Sequence, residues 1–531
     1  MGIATDEKRT RSVASKRNRD RPPLHPRLRP KREESLPTRL HRLLPAGLAV
    51  FALALRLHRL GAESLWIDEG YSISNANHFD PTAWAQNIRP IYYLFLWVWM
   101  RLGHGEFFLR LPSAIFGAGA VMMVYILGKR LVGERAGILA SLLMAISPLE
   151  VNHSQEIRMY SLAVLLTLAA MYEFVLLMEG RSGRHLILYL AFSALGIATF
   201  PLSALILIPQ ALTALLVGRR HGLGRWVLAE VALAVICMPL LVNGVKYLSY
   251  LTPETSTGVS ALSAVRLTGE FALLARGPAG SLTEYAFWGY TLVTLAVAGL
   301  GLRRMRDGKS EMGHGGLLLA LWLVVPIALT AEIVRMTGAQ WLPRYVICAS
   351  PAFFLLIGSG VMGLPSRRLR YLLSAAVLVF PMIRLARYYE RPTHPQWREA
   401  VQLIQEKERP GDVIALYRPG NGSVFGYYYR GRSPWMEIGQ PKLQRRRPWT
   451  EARAAETIGD LHLSHRRVWL VMSEESPDAG SAIERHIRAT ARVVLARSYT
   501  RVEVLLYARG SPNHEKRPPG RGWNPAGRRL M

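Results

Sequence analysis

The feature that most constrains this chain is a series of long apolar runs, nearly free of charge, that recur through most of its length. The runs are Leu43–Leu55, Ser113–Leu127, Ile138–Leu149, Leu162–Met178, Leu186–Ala198, Leu202–Val217, Val227–Val242, Leu317–Thr330, Val346–Met362 and Tyr371–Ile383. An ordinary soluble domain buries one core and does not repeat such runs. The sequence therefore predicts an all-α polytopic membrane protein with about eleven spans, each near the ~20 residues that cross the hydrocarbon layer.

The charge pattern predicts how the chain is oriented. Lys and Arg number 66 against 37 Asp and Glu, which gives a net charge of +29. The basic residues stand in the tails and in short loops between apolar runs, so we expect anionic headgroups and not nucleic acid as their partners. With the basic loops inside, the N-terminus is cytoplasmic and residues 61–110 form the first outer loop. The localisation expected is the plasma or inner membrane.

The chain divides into four parts by composition. Residues 1–42 and 510–531 are rich in Arg and Pro and are predicted to be disordered basic tails. Residues 43–388 form the membrane domain, in which the apolar stretch Ile91–Met100 is too short to span and is expected to be a surface or re-entrant helix. Residues 389–509 are predicted to be a small extracytoplasmic α/β domain. Its expected strands are Asp412–Tyr417, Arg467–Met472 and Val502–Tyr507. Its expected helices are Gln396–Glu408 and Ile483–Thr490.

Charged residues at the predicted outer boundary are the candidates for chemistry. Asp68 and Glu69 are adjacent carboxylates between aromatic residues just after the first span. Glu156 and Arg158 follow the third span, and Arg344 begins a later helix on the same face. These groups could converge on one cavity, or they could be solvated charges and lipid-facing side chains at a membrane boundary.

The same acids raise the question of a metal. Asp68, Glu69, Glu150, His153 and Glu156 offer oxygen and imidazole ligands suited to Mg or Mn, but their spacing is not diagnostic. No cofactor is predicted with certainty, and a divalent metal stays an open expectation.

Several short motifs in a fixed order resemble those of a known superfamily. They are Trp66-Ile67-Asp68-Glu69, Arg89-Pro90-Ile91-Tyr92-Tyr93-Leu94, Arg110-Leu111-Pro112-Ser113, Ser147-Pro148, Gln155-Glu156-Ile157-Arg158-Met159-Tyr160-Ser161-Leu162 and Pro343-Arg344-Tyr345 with Pro351. As a set they resemble the GT-C glycosyltransferases of family 39 type, such as bacterial protein O-mannosyltransferases and the aminoarabinose transferase that modifies lipid A. One departure is Arg89, which precedes a single proline where many relatives have two.

The resemblance implies an enzyme that moves a sugar from a polyprenyl-phosphate donor to an acceptor hydroxyl on the extracytoplasmic face, with inversion. It implies Asp68 as general base, with Glu69 orienting it or binding acceptor. Residues expected to bind donor or acceptor are Tyr71, Arg89, Glu156, Arg158, Tyr160, Arg344 and Tyr345. The acceptor could be a protein, a lipid or an envelope glycan.

Two other functions fit part of the pattern. A transporter of lipid or solute would also need an outer cavity lined by acids and arginines, although transporters place charges at mid-membrane. A scaffold in which the soluble domain binds a partner is the second alternative.

Overall fold

The protein folds into a helical assembly followed by a small α/β domain. A computed structural model describes residues 38–82, 87–181, 183–217, 220–249, 261–274, 280–306, 314–337, 341–390, 394–417, 420–438, 461, 465–473 and 491–508. Contacts divide the chain into two units, Met1–Leu44 and Pro45–Met531. Only the start of the first helix is described in the first unit, and every contact discussed below lies in the second.

Helices make up the part of the chain that precedes the sheet. They are α1 (Thr38–Leu57), α2 (Ile67–Asn77), α3 (Pro90–Trp99), α4 (Glu106–Leu131), α5 (Glu134–Ile146), α6 (Pro148–Ser154), α7 (Tyr160–Met178), α8 (Arg184–Thr199), α9 (Leu207–Val217), α10 (Arg220–Ser249), α11 (Ala261–Leu273), α12 (Leu282–Arg306), α13 (Gly315–Thr337), α14 (Ser350–Met362) and α15 (Arg367–Glu390). Two 3₁₀ helices, Pro201–Ile206 and Pro343–Ala349, lead into α9 and α14.

The apolar helices make this a multi-pass membrane protein. Among the described residues, six helices are long and apolar enough to cross a membrane, and the bent pair α5 and α6 would be a seventh. Other predicted spans fall on apolar stretches of 10–17 described residues, among them Leu43–Leu57 within α1 and Trp226–Leu240 within α10. The predicted count of about eleven is therefore not confirmed. The stretch expected at Ile91–Met100 forms α3, a helix of 10 residues.

The predicted span Ile138–Leu149 is not one straight helix. The chain bends by 59° between α5 and α6. Ser147 stands at the bend with extended backbone, and its hydroxyl accepts a hydrogen bond from the Glu150 N–H, which caps α6. Pro148 follows at the first helical position, where its missing N–H costs nothing. The bend carries α6 toward α7 and the turn that holds Glu156 and Arg158.

The C-terminal part contains a five-stranded mixed sheet. Its elements are α16 (Trp397–Lys407), β1 (Asp412–Tyr417), α17 (Asn421–Tyr428), β2 (Trp435–Ile438), β3 (Arg467–Ser473), β4 (Arg492–Tyr499) and β5 (Val502–Ala508). The strand order is β2-β1-β3-β5-β4, with β1 parallel to both neighbours and β5 antiparallel to both of its own. Every residue of β1 is buried, which explains why all of its residues after Asp412 are apolar or aromatic.

Most of the predicted elements of this domain are present. The three predicted strands correspond to β1, β3 and β5, and the predicted helix Gln396–Glu408 corresponds to α16. The strands β2 and β4 and the helix α17 were not predicted. The helix expected at Ile483–Thr490 and the two basic tails beyond 37 and 509 lie outside the described residues.

Candidate functional site

The candidate site is built around the first turn of α2, directly after the loop that follows α1. Trp66 caps this helix, and its backbone N–H donates to Glu69 Oε2 at 3.2 Å. Asp68 and Glu69 both stand in this first turn, where carboxylates interact favourably with the positive end of the helix dipole. Their side chains meet very different surroundings.

The Glu69 side chain is completely buried, and both of its carboxylate oxygens accept hydrogen bonds. Its Oε1 accepts from Arg110 Nε at 2.8 Å and from the Ile157 N–H at 2.9 Å, and its Oε2 accepts from Arg110 Nη2 at 2.7 Å. Arg110 uses its remaining N–H groups on the carbonyls of Leu60, Glu63 and Ser64. A direct catalytic role for Glu69 does not fit this geometry, because neither oxygen is free to meet a substrate. The carboxylate instead joins α2 to α4 and to the turn before α7, which fits the orienting role.

The Asp68 carboxylate lies between two arginines. Its Oδ2 is 3.7 Å from Arg158 Nη2 and 3.5 Å from Arg344 Nη2. The Asp68 side chain is 22% exposed and that of Arg344 24% exposed, whereas that of Arg158 is only 8% exposed. Arg158 is fixed further by donating from Nη1 to the Asp68 carbonyl at 3.0 Å and to Ser72 Oγ at 3.1 Å. The structure thus brings together three of the predicted site residues from α2, from the turn before α7 and from the helix before α14.

Several buried donors near this cluster have no hydrogen-bond partner among the described residues. They are the Nε atoms of Arg89, Arg158 and Arg344 and the indole Nε1 atoms of Trp66 and Trp341. The guanidinium of Arg344 lies over the Trp66 ring at 5.6 Å, and Trp341 precedes Arg344 by one turn of chain. Leaving a buried donor unpaired is costly. Unpaired N–H donors on three positively charged arginines and two tryptophans suit an anion with several acceptor oxygens.

Of the remaining predicted residues, Tyr160 and Tyr345 lie beside the two arginines, whereas Arg89 and Tyr71 contact other groups. Arg89 donates from Nη1 to Tyr93 at 3.5 Å, and Tyr93 also accepts from Asn75 of α2 at 3.3 Å. Tyr160 is buried with Arg158 over its ring at 5.6 Å, and Tyr345 lies 6.0 Å below Arg344. Tyr71 points elsewhere, because its hydroxyl abuts Gly420 in the C-terminal part.

Glu156 is held by its own neighbours in the turn before α7. It accepts from Asn152 Nδ2 at 2.8 Å and lies 3.1 Å from His153 Nδ1. Burial alone would raise the pKa of this carboxyl, but His153, with smaller contributions from His394 and Arg344, lowers the pKa to about 2. Glu156 is therefore ionised at neutral pH and adds a fixed negative charge behind the two arginines.

Two residues of this region were not among the predicted site residues. Arg110 appeared in the sequence only within a motif, and its pairing with Glu69 crosses 41 positions. His394 stands in no motif and lies between α15 and α16. Its Nδ1 lies 3.1 Å from the Ser64 carbonyl oxygen and 3.9 Å from Glu69 Oε2, and its ring lies 6.0 Å from that of Trp66. No sequence signal pointed to this contact.

Metal-ligating side chains do not form a large cluster in the part of the chain that the structure describes. No group of three or more His, Cys, Asp or Glu side chains converges within that part of the chain. Asp68 has two guanidinium groups beside it and Glu69 has one, so neither carboxylate offers a divalent ion the net negative surroundings that such ions prefer. Dependence on Mg or Mn stays a prediction.

Comparisons with known proteins identify the fold. Residues 87–242 match the family model for dolichyl-phosphate-mannose-protein mannosyltransferase. No curated protein sequence matches the chain. The crystal structure of ArnT from Cupriavidus metallidurans bound to undecaprenyl phosphate is similar at 17% identity and a TM-score of 0.54, covering 88% of this chain and 98% of that one. Its apo form matches at 16% identity with the same TM-score and coverage.

A second similar structure comes from an archaeon. The oligosaccharyltransferase of Archaeoglobus fulgidus, tethered to an acceptor peptide, matches at 14% identity and a TM-score of 0.52, covering 89% of this chain and 74% of that one. The resemblance to the GT-C glycosyltransferases drawn from the motifs is thus confirmed at the level of fold.

Proposed function

We propose that this chain, a multi-pass membrane protein with the GT-C glycosyltransferase fold, transfers a sugar from a polyprenyl phosphate to an acceptor hydroxyl. The observation that carries the proposal is the placement of Asp68 between Arg158 and Arg344, with unpaired guanidinium and indole N–H groups beside them. The match to ArnT, whose crystal structure holds undecaprenyl phosphate, supports a lipid-linked donor. The match to the mannosyltransferase family model supports a sugar as the transferred group.

The charge balance of the reaction explains the two arginines. A bond forms between the acceptor oxygen and the anomeric carbon while the bond from that carbon to the phosphate oxygen breaks. The donor is a phosphodiester with one negative charge, and the departing polyprenyl phosphate carries close to two. Fixed cations at that position stabilise the charge as it develops. Arg158 and Arg344 are the groups that we assign to this task, with Arg89 as a further donor.

Asp68 is the group that we assign to proton removal. The acceptor hydroxyl loses its proton as the new bond forms, and a carboxylate within hydrogen-bond reach can take it. Asp68 pairs with the arginines in this structure, so the donor phosphate would have to replace it there. That exchange would free the carboxylate to accept the proton of the acceptor hydroxyl, which inversion requires to approach the face of the sugar opposite the leaving group.

The test measures release of free polyprenyl phosphate from a panel of polyprenyl-phosphate sugars by the protein in lipid. Asp68→Asn is expected to lose at least about 100-fold in turnover, the usual contribution of a general base, while still binding polyprenyl phosphate. A matched control is Glu332→Gln, which removes an exposed carboxylate beside Arg335. Turnover by Asp68→Asn at the wild-type rate would refute the base assignment. Failure of the wild type to bind or consume any donor would favour a transporter or a scaffold.

We also propose that the site and the C-terminal domain face the extracytoplasmic side. Both cysteines are buried, so a cysteine introduced at an exposed position can be labelled selectively. Gln402 is exposed on α16, and Arg303 is exposed at the end of α12 that is predicted to face the cytoplasm. An impermeant thiol reagent added to intact cells should label Gln402→Cys and not Arg303→Cys. The reverse pattern would overturn the orientation.

A further inference from the structure

The helix α17 of the C-terminal part lies directly against α2, the helix that carries Asp68. Its contacts come from Gly420, which caps the start of α17, and from Val424 and Tyr428, which are four residues apart and so lie on one face of the helix. Gly420 contacts Tyr71, Val424 contacts Gly70, and Tyr428 contacts Leu65. Leu65, Gly70 and Tyr71 flank Asp68 on both sides along the chain.

We infer that α17 positions α2 for catalysis, with Gly70 as the residue that sets the separation of the two helices. The inference rests on the proposed function of Asp68. Gly70 is a positioning residue, since it acts through the helix and touches no reacting atom.

The contact at Gly70 leaves no room for a side chain. A Cβ atom added there would lie 2.6 Å from Val424 Cγ2, 2.7 Å from Ser423 Oγ and 2.9 Å from the Val424 backbone nitrogen. Such distances are shorter than packed carbon atoms tolerate, and one of the three neighbours is backbone. Any larger residue at Gly70 must therefore push α17 and α2 apart.

The other two contacts fix the same pair of helices at its ends. Gly420 has φ +100°, and the hydroxyl of Tyr71 occupies the space that a Cβ would need there. The Tyr428 hydroxyl accepts from the Leu65 N–H at 2.7 Å and donates to Glu106 Oε1 at 2.9 Å. The loop before α2 is thus bonded to α17, and α17 is bonded to α4.

The sheet in turn holds the start of α17. Glu437 on β2 accepts at Oε1 from the N–H groups of Gly420 at 2.9 Å and Gly422 at 2.7 Å. Asn421 Nδ2 donates to the Tyr417 carbonyl at the end of β1, at 2.8 Å. A carboxylate on two N–H groups at a helix start is a strong anchor. The position of α2 therefore depends on the strands β1 and β2.

The consequence for the site follows from how Arg158 is bound. Its Nη1 donates to the Asp68 carbonyl and to Ser72 Oγ, both on α2. A shift of α2 moves these acceptors together with the Asp68 carboxylate, so it changes the geometry of the base and of a phosphate-binding arginine at once. Displacements of about 1 Å in such a site can cost ~100-fold in rate.

The experiment compares Gly70→Ala with Gly289→Ala in the full-length protein in lipid. Gly289 is an exposed helical glycine of α12 with nothing within 4 Å of an added Cβ, so it controls for the change in backbone entropy. Gly70→Ala is expected to lower kcat by about 10–100-fold, with a rise in the donor KM that is smaller than the fall in kcat, because the base and Arg158 are displaced together. Amide exchange across residues 66–77 should become about tenfold faster.

Two further variants make the result independent of a folding defect. Adding Val424→Ala to Gly70→Ala removes the closest atom and should recover part of kcat. Glu437 is exposed, and Glu437→Gln weakens its hydrogen bonds to the start of α17. This variant should change kcat and the amide exchange of α2 in the same direction as Gly70→Ala.

The outcomes separate this inference from the proposed function. If the wild type turns over donor and Gly70→Ala keeps the wild-type kcat, the positioning role is overturned. If the wild type turns over no donor, the transferase proposal is wrong. The amide exchange rate of α2 then still tests whether α17 positions α2. Faster exchange in Gly70→Ala then supports positioning by α17, whereas unchanged exchange overturns it.

Discussion

Asp68 and a donor phosphate should compete for the same two arginines, so Asp68→Asn is expected to tighten the binding of polyprenyl phosphate while it abolishes turnover. The carboxylate lies 3.5 Å from Arg344 Nη2 and 3.7 Å from Arg158 Nη2. A phosphate that binds both guanidinium groups must displace it. The asparagine carries no charge, so it leaves both arginines to the phosphate.

The size of the effect follows from these distances. At an effective dielectric constant of ~20, Coulomb's law gives roughly 4–5 kcal/mol for each pair, whereas exposed ion pairs measure ~0–1 kcal/mol. Because the Asp68 side chain is 22% exposed, we take about 1 kcal/mol for each pair, closer to the lower limit. The sum of about 2 kcal/mol corresponds to a dissociation constant lowered roughly 30-fold.

Calorimetric titration of undecaprenyl phosphate into the protein in nanodiscs measures this directly. Glu332→Gln removes the same charge from an exposed pair with Arg335, which makes none of the contacts of Asp68, Arg158 or Arg344 described above, and should leave the affinity unchanged. Weaker or equal binding by Asp68→Asn would show that the carboxylate does not compete with the phosphate. The exchange proposed for the reaction would then be wrong.

Other substitutions test other parts of the site. Arg158→Met or Arg344→Met should weaken undecaprenyl phosphate binding by about 10–100-fold in the same titration, since each removes a charge-assisted donor; unchanged affinity would exclude that arginine from the phosphate site. Glu69→Ala leaves the Arg110 guanidinium buried and unpaired, so the free energy of unfolding should fall by about 3–5 kcal/mol, seen as earlier thermal unfolding; a wild-type melting curve would contradict the pairing. Because the folded protein lowers the pKa of Glu156 to about 2, this carboxylate contributes stability above its ordinary pKa of 4.5 and loses it as pH falls toward 2. Glu156→Gln should therefore be less stable than wild type at pH 6, with the difference shrinking between pH 4.5 and 2; a difference independent of pH would argue against ionisation in the folded state.

Local patterns in the sequence determined the broad architecture. Long uncharged apolar runs predict membrane helices, because any segment that crosses the hydrocarbon layer must be apolar and must satisfy its own backbone hydrogen bonds. The buried strands β1, β3 and β5 were predicted because a run such as Asp412–Tyr417 is apolar at nearly every position. The strand β2 was missed, since it has 4 residues and three of them are exposed. The break at Ser147 was missed because the apolar run continues across it.

The sequence also selected the residues around which the site is built. Asp68, Arg158 and Arg344 were singled out because the predicted topology places them on the same outer face, where they could converge on one cavity, and because they stand in motifs of the GT-C resemblance. Their roles stay predictions. The resemblance assigned the base to Asp68 and an orienting or acceptor-binding role to Glu69, but residue type and spacing alone do not show what surrounds each of these two adjacent carboxylates.

Only the tertiary structure shows the different surroundings of those two carboxylates. Glu69 is taken up by Arg110 and Ile157, which lie 41 and 88 positions away, and Asp68 is left facing Arg158 and Arg344. The contact of Gly70 with Val424 joins parts of the chain that no periodicity connects. Hydrophobic periodicity is a property of neighbouring residues, whereas a bonded carboxylate or a close helix contact depends on which distant segments the folded chain brings together.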